Sequence, residues 1–107
     1  METIKIEKVI SEINSEIDLF VCPRSNRQVR VSCHVINRGQ NKNNVDIKLF
    51  DVNGLSEPVY NSGLLEGKGL TITGIRMKPR EKLTIKVSDK TEVSLKALVK
   101  GKRNETT

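Results

Sequence analysis

The chain has 107 residues, of which 36% are hydrophobic, 3% are aromatic and 30% are charged, and its formal net charge is +6. This length fits one domain that folds without a metal or a disulfide, and the shortage of aromatics leaves Val, Ile and Leu to build the core. No apolar run approaches the roughly 18 residues that cross a bilayer, and no basic segment followed by an apolar one opens the chain, so we expect neither a membrane span nor secretion.

The first third of the chain supports two interpretations. Residues 3–10 (TIKIEKVI) and 17–22 (IDLFVC) have the β-branched and alternating composition of strands. The apolar residues of 7–17 also fall at helical spacing, which would form a short amphipathic helix. We favour the strands, and we expect residues 1–16 to be an N-terminal arm or an extra strand.

Alternation at period two predicts five further strands. Each of them places apolar residues on one face and polar residues on the other, as a half-buried strand does. A weaker strand at 58–61 brings the expected total to seven or eight. The five segments are QVRVSCHVIN (28–37), VDIKLF (45–50), LTITGI (70–75), KLTIKV (82–87) and EVSLKALV (92–99).

Turn-forming residues separate these segments at short intervals. Many short strands with regular turns are typical of an all-β fold. We therefore predict a single β-sandwich domain over residues 1–107, immunoglobulin-like or jelly-roll, with about seven to eight antiparallel strands. The polar residues 101–107 are expected to form a flexible tail.

The segment VINRGQNKNNVDIKLF, residues 35–50, has a polar, Asn-rich middle between two alternating arms. We interpret it as a β-hairpin, because Asn and Gly tolerate the left-handed backbone of tight loops. Asn37, Arg38 and Gly39 would form a structural turn. We expect a short Gly turn in place of Gln40 to Asn43 to spare folding.

The two cysteines, Cys22 and Cys33, are predicted to be free. A hairpin turn near Ser25 would place them at different levels of a strand pair, too far apart to bridge. Cys33 alternates in phase with the valines of its strand, which indicates a small buried core residue. A reduced compartment fits this interpretation.

No catalytic constellation, cofactor motif or metal-ligand spacing is recognisable. The sequence GLLEGKG, residues 63–69, differs from a phosphate-binding loop in its glycine spacing and in having Gly69 where a hydroxyl residue is needed, so it predicts a turn. His34, the only histidine, has no acid or cysteine at a ligand spacing. We therefore expect a non-enzymatic protein with no cofactor and no metal.

The positive charge favours an acidic partner. Basic residues cluster in IRMKPREKLTIK, residues 75–86, where several could form one stripe. Proteins that bind single-stranded nucleic acid interleave such charge with stacking aromatics, which this segment lacks, so nucleic acid is disfavoured. The candidate partner-binding residues are Arg38, Lys42, Arg76, Lys78, Arg80 and Lys82.

Residues 19–100 resemble a class of small tailed-bacteriophage virion proteins. In that class, a strand ending in VxNRG, a variable loop and a second strand precede a unit containing ITGI. Here Asn37-Arg38-Gly39 and Thr73-Gly74-Ile75 stand at the matching places. The chain departs from the class at Met77 to Arg80, where members often have a Gly-rich turn, and residues 1–16 have no counterpart.

The resemblance implies a β-sandwich that acts as a capsid decoration or cement protein, which binds the outer shell and stabilises the head. A tail, baseplate or fibre-attachment component is the alternative that the resemblance implies. The basic residues themselves leave a nucleic-acid-binding accessory protein as a further alternative. The implied partners are the major capsid protein or another virion protein, with localisation in the virion after synthesis in the host cytoplasm. We also expect a homo-oligomer, dimer or trimer, which pairs through edge strands near 2–10 or 92–100.

Overall fold

The computed structural model describes residues 2–24 and 28–100, and every regular element in those ranges is a β-strand. The strand interpretation of the first third is therefore confirmed, and the helical alternative is wrong. The weak strand at 58–61 is also confirmed and is longer than predicted. The predicted tail, 101–107, lies outside the described residues. The strands are β1 (Glu2–Ile10), β2 (Ile17–Val21), β3 (Gln28–Asn37), β4 (Asn43–Phe50), β5 (Ser56–Leu64), β6 (Gly69–Met77), β7 (Lys82–Val87) and β8 (Thr91–Lys100).

The strands form two four-stranded antiparallel sheets. Sheet A has the order β1-β8-β3-β6, and sheet B has the order β2-β7-β4-β5. The pairs β4–β5, β3–β6, β2–β7 and β1–β8 are nested, as if one long hairpin had been rolled into two sheets. This is the jelly-roll arrangement. The predicted β-sandwich is confirmed, and the strand order separates the jelly roll from the immunoglobulin-like alternative.

The predicted hairpin over residues 35–50 is wrong. β3 lies in sheet A and β4 in sheet B, so the polar segment between them crosses from one sheet to the other. The hairpin around Ser25 is wrong for the same reason, since β2 and β3 also belong to different sheets, and Ser25 itself lies outside the described residues. Alternation identifies a strand, but it does not identify the strand's neighbours.

Of the two predicted edge strands, one lies at an edge of sheet A and the other lies inside the sheet. β1 is an edge of sheet A, as expected for the N-terminal strand. β8 lies between β1 and β3 and is paired along its whole length, so its predicted position at an edge is wrong. Nested pairing brings the last strand beside the first, which moves it into the middle of the sheet.

The core is built from aliphatic residues of both sheets, as the composition predicts. Val35 and Ala97 of sheet A and Ile47 and Leu83 of sheet B are 0% exposed. Cys33 is buried as predicted, and both thiols are free. Burial raises the pKa of the Cys33 thiol to about 11. Burial is also the largest cause of the raised pKa of the Cys22 thiol.

Candidate functional site

Arg38 and Lys42 lie in the loop that follows β3, at the end of the sandwich where β3 ends and β4 begins. Arg38 is held by Glu92, with 2.8 Å between its Nε and a carboxylate oxygen. The aliphatic part of the Lys42 side chain lies over Gly63, where a Cβ would collide with it. The Arg38 charge is therefore compensated within the chain.

The other four predicted residues do not form one stripe. Arg76 lies on the outer face of sheet A, and Lys78 and Arg80 lie in the turn after β6, at the end opposite Arg38. Lys82 begins β7 in sheet B, where its Nζ lies 3.5 Å from Asp18 and 5.5 Å from the centre of the Phe50 ring. Their partner-binding role stays a prediction, and the structure does not bring the six together.

The loop after β3 has a structural role that its side chains explain. Asn37 is 1% exposed, and its amide donates to the carbonyls of Asn41 and Leu64 at 2.7 and 2.8 Å. Its Oδ1 accepts the N–H of Gly39 at 2.9 Å, which confirms the structural turn predicted there. We call the cluster of Asn37, Asn43, Asp89 and Thr91 the polar junction.

Asn43 is the centre of the polar junction and is 0% exposed. Its amide donates to Thr91 Oγ1 at 2.7 Å and to the carbonyl of Asp89 at 3.2 Å. Its Oδ1 accepts the N–H groups of Ser88 and Asp89 at 3.0 and 3.2 Å. Replacing residues 40–43 by a Gly turn would remove all four bonds, which argues against the expectation that folding is spared.

The outer face of sheet A carries cations that are not compensated in this way. Lys5 of β1 stands directly opposite Lys96 of β8, and Arg30 of β3 stands directly opposite Arg76 of β6. Like charges directly opposite each other destabilise a sheet. Within the described residues, no side chain of these four has an ion pair or hydrogen bond. We call Lys5, Arg30, Arg76 and Lys96 the basic face.

The outer face of sheet B differs in its charge arrangement. Asp46 stands opposite Lys86, and its carboxylate lies 3.8 Å from the Lys48 amine. Lys82 and Asp18 form the pair described above. The cations there have acidic neighbours, whereas each cation of the basic face stands opposite another cation.

Shallow depressions run along β3 between the cations of the basic face. One of about 330 Å³ is lined by Arg30, Ser32, Thr73 and Gly74, among others, where a bulge in β6 leaves a glycine with φ +75°. A neighbouring depression of about 160 Å³ contains His34, whose Nδ1 lies 2.8 Å from Thr71 Oγ1. Hydroxyl groups between guanidinium and ammonium groups suit a carboxylate-bearing surface.

Metal sites and catalytic histidines need particular arrangements of the side chains around them. No group of three or more His, Cys, Asp or Glu side chains in residues 2–24 and 28–100 is arranged to hold a metal ion. The same ranges contain no helix that could span a membrane. His34 has a threonine as its neighbour, and no carboxylate of the described chain bonds to it.

Sequence reasoning found Arg76 but missed Lys5, Arg30 and Lys96. All three lie at outward positions of strands with alternating polarity. This pattern indicates that they are exposed, but it does not indicate that they are neighbours. They become one surface because β1, β8, β3 and β6 are neighbours in that order. The four residues come from four different strands that are separated in the chain, so their proximity has no local signal.

Comparisons with known proteins identify the fold. No family model matches the chain, and no curated protein matches its sequence. Among solved structures, a chain of the T13 IBDV viral particle is similar with a TM-score of 0.56 and 14% identity, over 90% of this chain and 30% of that one. The infectious bursal disease virus Gx strain gives a TM-score of 0.53 at 13% identity, over 90% and 30% of the two chains.

A third similar structure belongs to Bacillus endospore appendages, described as disulfide-linked pili. Its TM-score is 0.57 at 9% identity, and the similarity covers 94% of this chain and 88% of that one. The chain thus spans about a third of the viral proteins and nearly all of the appendage protein. At these identities the likeness shows a shared fold, and these neighbours are structural proteins of viral particles and pili.

Proposed function

We propose that this chain is a non-enzymatic structural protein of a tailed-bacteriophage virion, and that it decorates the head. In this role it binds the outer surface of the capsid and stabilises the shell. The resemblance over residues 19–100 supports the phage assignment, and the jelly-roll fold shared with viral particle proteins supports a structural role. The major capsid protein is the partner.

The basic face is the observation that carries this proposal. Two like-charge pairs on one sheet lower stability by about 0.2–1 kcal/mol each, an amount that salt screens in part. An acidic partner surface would offset that cost on docking. The cations of the face lie at outward positions of paired strands, so the backbone that carries them need not rearrange to meet carboxylates.

Nucleic acid fits the basic face less well than an acidic protein does. The three aromatic residues of the chain are Phe20, Phe50 and Tyr60, and all of them lie in strands of sheet B. The basic face therefore lacks the Phe, Tyr and Trp platforms on which single-strand-binding surfaces stack bases. A titration with single- and double-stranded DNA that showed salt-dependent binding through Arg30 and Arg76 would favour the nucleic-acid alternative.

The test is to add purified protein, at low ionic strength, to phage heads that lack it. We expect the native protein to bind and to raise the temperature at which the heads release DNA. The double variant Arg30→Glu, Arg76→Glu should lose binding. A matched control, Lys68→Glu with Lys90→Glu, changes the net charge equally but alters two exposed loop positions, and it should still bind.

Two results would overturn the proposal. If the native protein fails to bind heads even at low salt, the decoration role is wrong. If the two double variants lose binding to the same degree, net charge alone governs the association and the basic face is not the docking surface.

A second candidate is a subunit of a tail or another fibrous assembly. The observation that favours it is the appendage protein, whose chain this protein matches over nearly its whole length. The disulfide linkage of those pili has no equivalent among the folded thiols here, because Cys22 and Cys33 are 1% and 2% exposed. Immunogold labelling of intact particles decides between the candidates, since gold on tails would exclude head decoration.

A further inference from the structure

The four edge strands of the sandwich differ in how open they are to pairing. β2 has five residues and an irregular register between Asp18 and Phe20. β5 contains Pro58, which cannot donate to a ladder, and β6 is bulged at Gly74. Charged side chains, which β1 has at Lys5 and Lys8, are one feature by which proteins block an exposed edge, and short length, proline and bulges are three others.

β1 lacks these three features. It has nine residues, and its register with β8 is unbroken from Glu2 to Ile10. Ile4 and Ile6 face the core side but are only partly buried at this margin of the sandwich. An edge that is long, regular and lined by partly buried isoleucines can accept another strand.

We propose that two copies of this chain form a symmetric dimer by antiparallel pairing of β1 with β1, centred on Ile6. The two copies of sheet A would then form one continuous eight-stranded sheet. In this register the full length of β1 is paired, and Lys5 of each copy stands opposite Glu7 of the other. Both pairs lie on the outer face, where the side chains are exposed.

The charges of β1 select this register over its neighbours. A two-fold axis perpendicular to the sheet must pass between one residue of β1 and the same residue of the second copy, because opposed residues lie on the same face. The alternative registers therefore centre on a different residue of β1. Centring on Lys5 would oppose the two Lys5 ammonium groups, and centring on Glu7 would oppose the two carboxylates. Both shifts also shorten the paired length, because Ile6 is the middle of Glu2–Ile10.

The dimer would also relieve an unfavourable contact within each copy. Lys5 stands opposite Lys96 on β8, and its other side is the open edge. Glu7 of the second copy would occupy that side and supply an opposite charge. This relief depends on the sheet order of the protein and is independent of its proposed role in a virion.

The core side of β1 is compatible with the same register. Ile6 would pack against Ile6 of the second copy at the axis. Ile4 would meet the stem of Lys8 of the second copy, whose amine is already held by the Asp18 carbonyl at 3.0 Å. The head group of Lys8 is therefore bonded, and its methylenes cover apolar surface.

The test uses charge reversal at the two outward positions. Native protein in analytical ultracentrifugation should reach twice the 12.0 kDa mass of one chain. Lys5→Glu would place two pairs of acids across the axis, and Glu7→Lys would place two pairs of lysines there. Each variant alone should therefore raise the dimer dissociation constant by about tenfold or more. The double variant Lys5→Glu, Glu7→Lys should dimerise again.

Mixing the two single variants gives a sharper prediction. The Lys5→Glu chain carries an acid at both outward positions, and the Glu7→Lys chain carries a lysine at both. Across the axis each acid would face a lysine, so the mixture should form a heterodimer that neither variant forms alone. Lys68→Glu and Glu12→Lys make the same charge changes in exposed loops and should leave the native dimer intact. Thermal unfolding verifies that each variant is folded.

Three outcomes would overturn the inference. The first is a native protein that stays monomeric at the highest accessible concentration. The second is a dimer, or a trimer, that neither single charge reversal weakens. The third is a mixture of folded single variants that fails to associate, since a symmetric β1 interface requires the heterodimer.

Discussion

Asn43 of sheet B donates a hydrogen bond of 2.7 Å to Thr91 of sheet A, and both side chains are 0% exposed. A buried amide that bonds across two sheets sets how they meet at this end. Asn43 also accepts two backbone N–H groups from the turn before β8. The Asn-rich segment is therefore polar because its residues complete a buried junction.

Asn43→Ala should lower the free energy of unfolding by about 3 kcal/mol, because it leaves the N–H groups of Ser88 and Asp89 without an acceptor and removes the donor to Thr91 Oγ1, whose hydroxyl still donates to the Asp89 carbonyl. Denaturant titration measures this change. Asn44→Ala is the matched control, because its side chain is exposed and only its backbone N–H bonds, to Ser88 Oγ. Equal losses from both variants would contradict the role given to Asn43.

Asp89 should make stability depend on pH. The N–H of Lys90, and then that of Asn41, bond to its carboxylate and hold the Asp89 pKa below its usual 3.8. A lowered pKa in the folded state contributes stability that is present above pH 3.8 and is lost as the pH falls towards the folded pKa.

Asp89→Asn should therefore be less stable than the native protein at neutral pH and should lose less stability on acidification below pH 3.8. Unfolding curves recorded at several pH values measure this difference. Glu66→Gln removes a carboxylate from an exposed turn and serves as the control. If the acid dependence of the Asp89 variant matches that of the native protein, this account of the carboxylate is wrong.

Charge reversal should have opposite effects on the two sheets. Arg30→Glu places an acid opposite Arg76 and should raise the free energy of unfolding by about 0.5 kcal/mol. Lys86→Glu places an acid opposite Asp46 and should lower it by a similar amount, about 0.5 kcal/mol. Thermal melts at low salt test both, and high salt should shrink both differences. A destabilised Arg30→Glu would argue against an unfavourable Arg30 and Arg76 pair.

Cys33 should resist thiol reagents as long as the protein is folded. Its side chain is 2% exposed, and burial raises its pKa to about 11, so almost no reactive thiolate is present at neutral pH. In denaturant both cysteines should react at once. Mass spectrometry after timed alkylation measures the rates, with the denatured protein as the reference. Rapid labelling of Cys33 in native protein would show that this part of the core opens.

The sandwich also loses stability at high pH through the same thiol. The unfolded thiol ionises near its ordinary pKa of 9.0, whereas the folded one stays neutral until about 11. The free energy contributed by keeping Cys33 neutral is therefore fully present below pH 9.0 and is lost between these two values. Cys33→Ala would remove this dependence, at the cost of a small cavity.

The strands, the composition of the core and the burial of Cys33 could all be predicted from the amino-acid sequence. These features are local, because alternation at period two shows which side of a strand faces the interior. The sequence also indicated that Asn37 begins a turn. It could not show that this turn joins two sheets, since the bonds of Asn37 reach Leu64, 27 positions away.

Only the tertiary structure shows which strands are neighbours, and both candidate sites depend on that strand order. β1 pairs with β8 although they stand at opposite ends of the chain, so the pairing of Lys5 with Lys96 has no trace in the sequence around either residue. The same order left β1 at an edge and put β8 in the middle. Strand pairing depends on contacts between distant segments, and those contacts made both the basic face and the open edge.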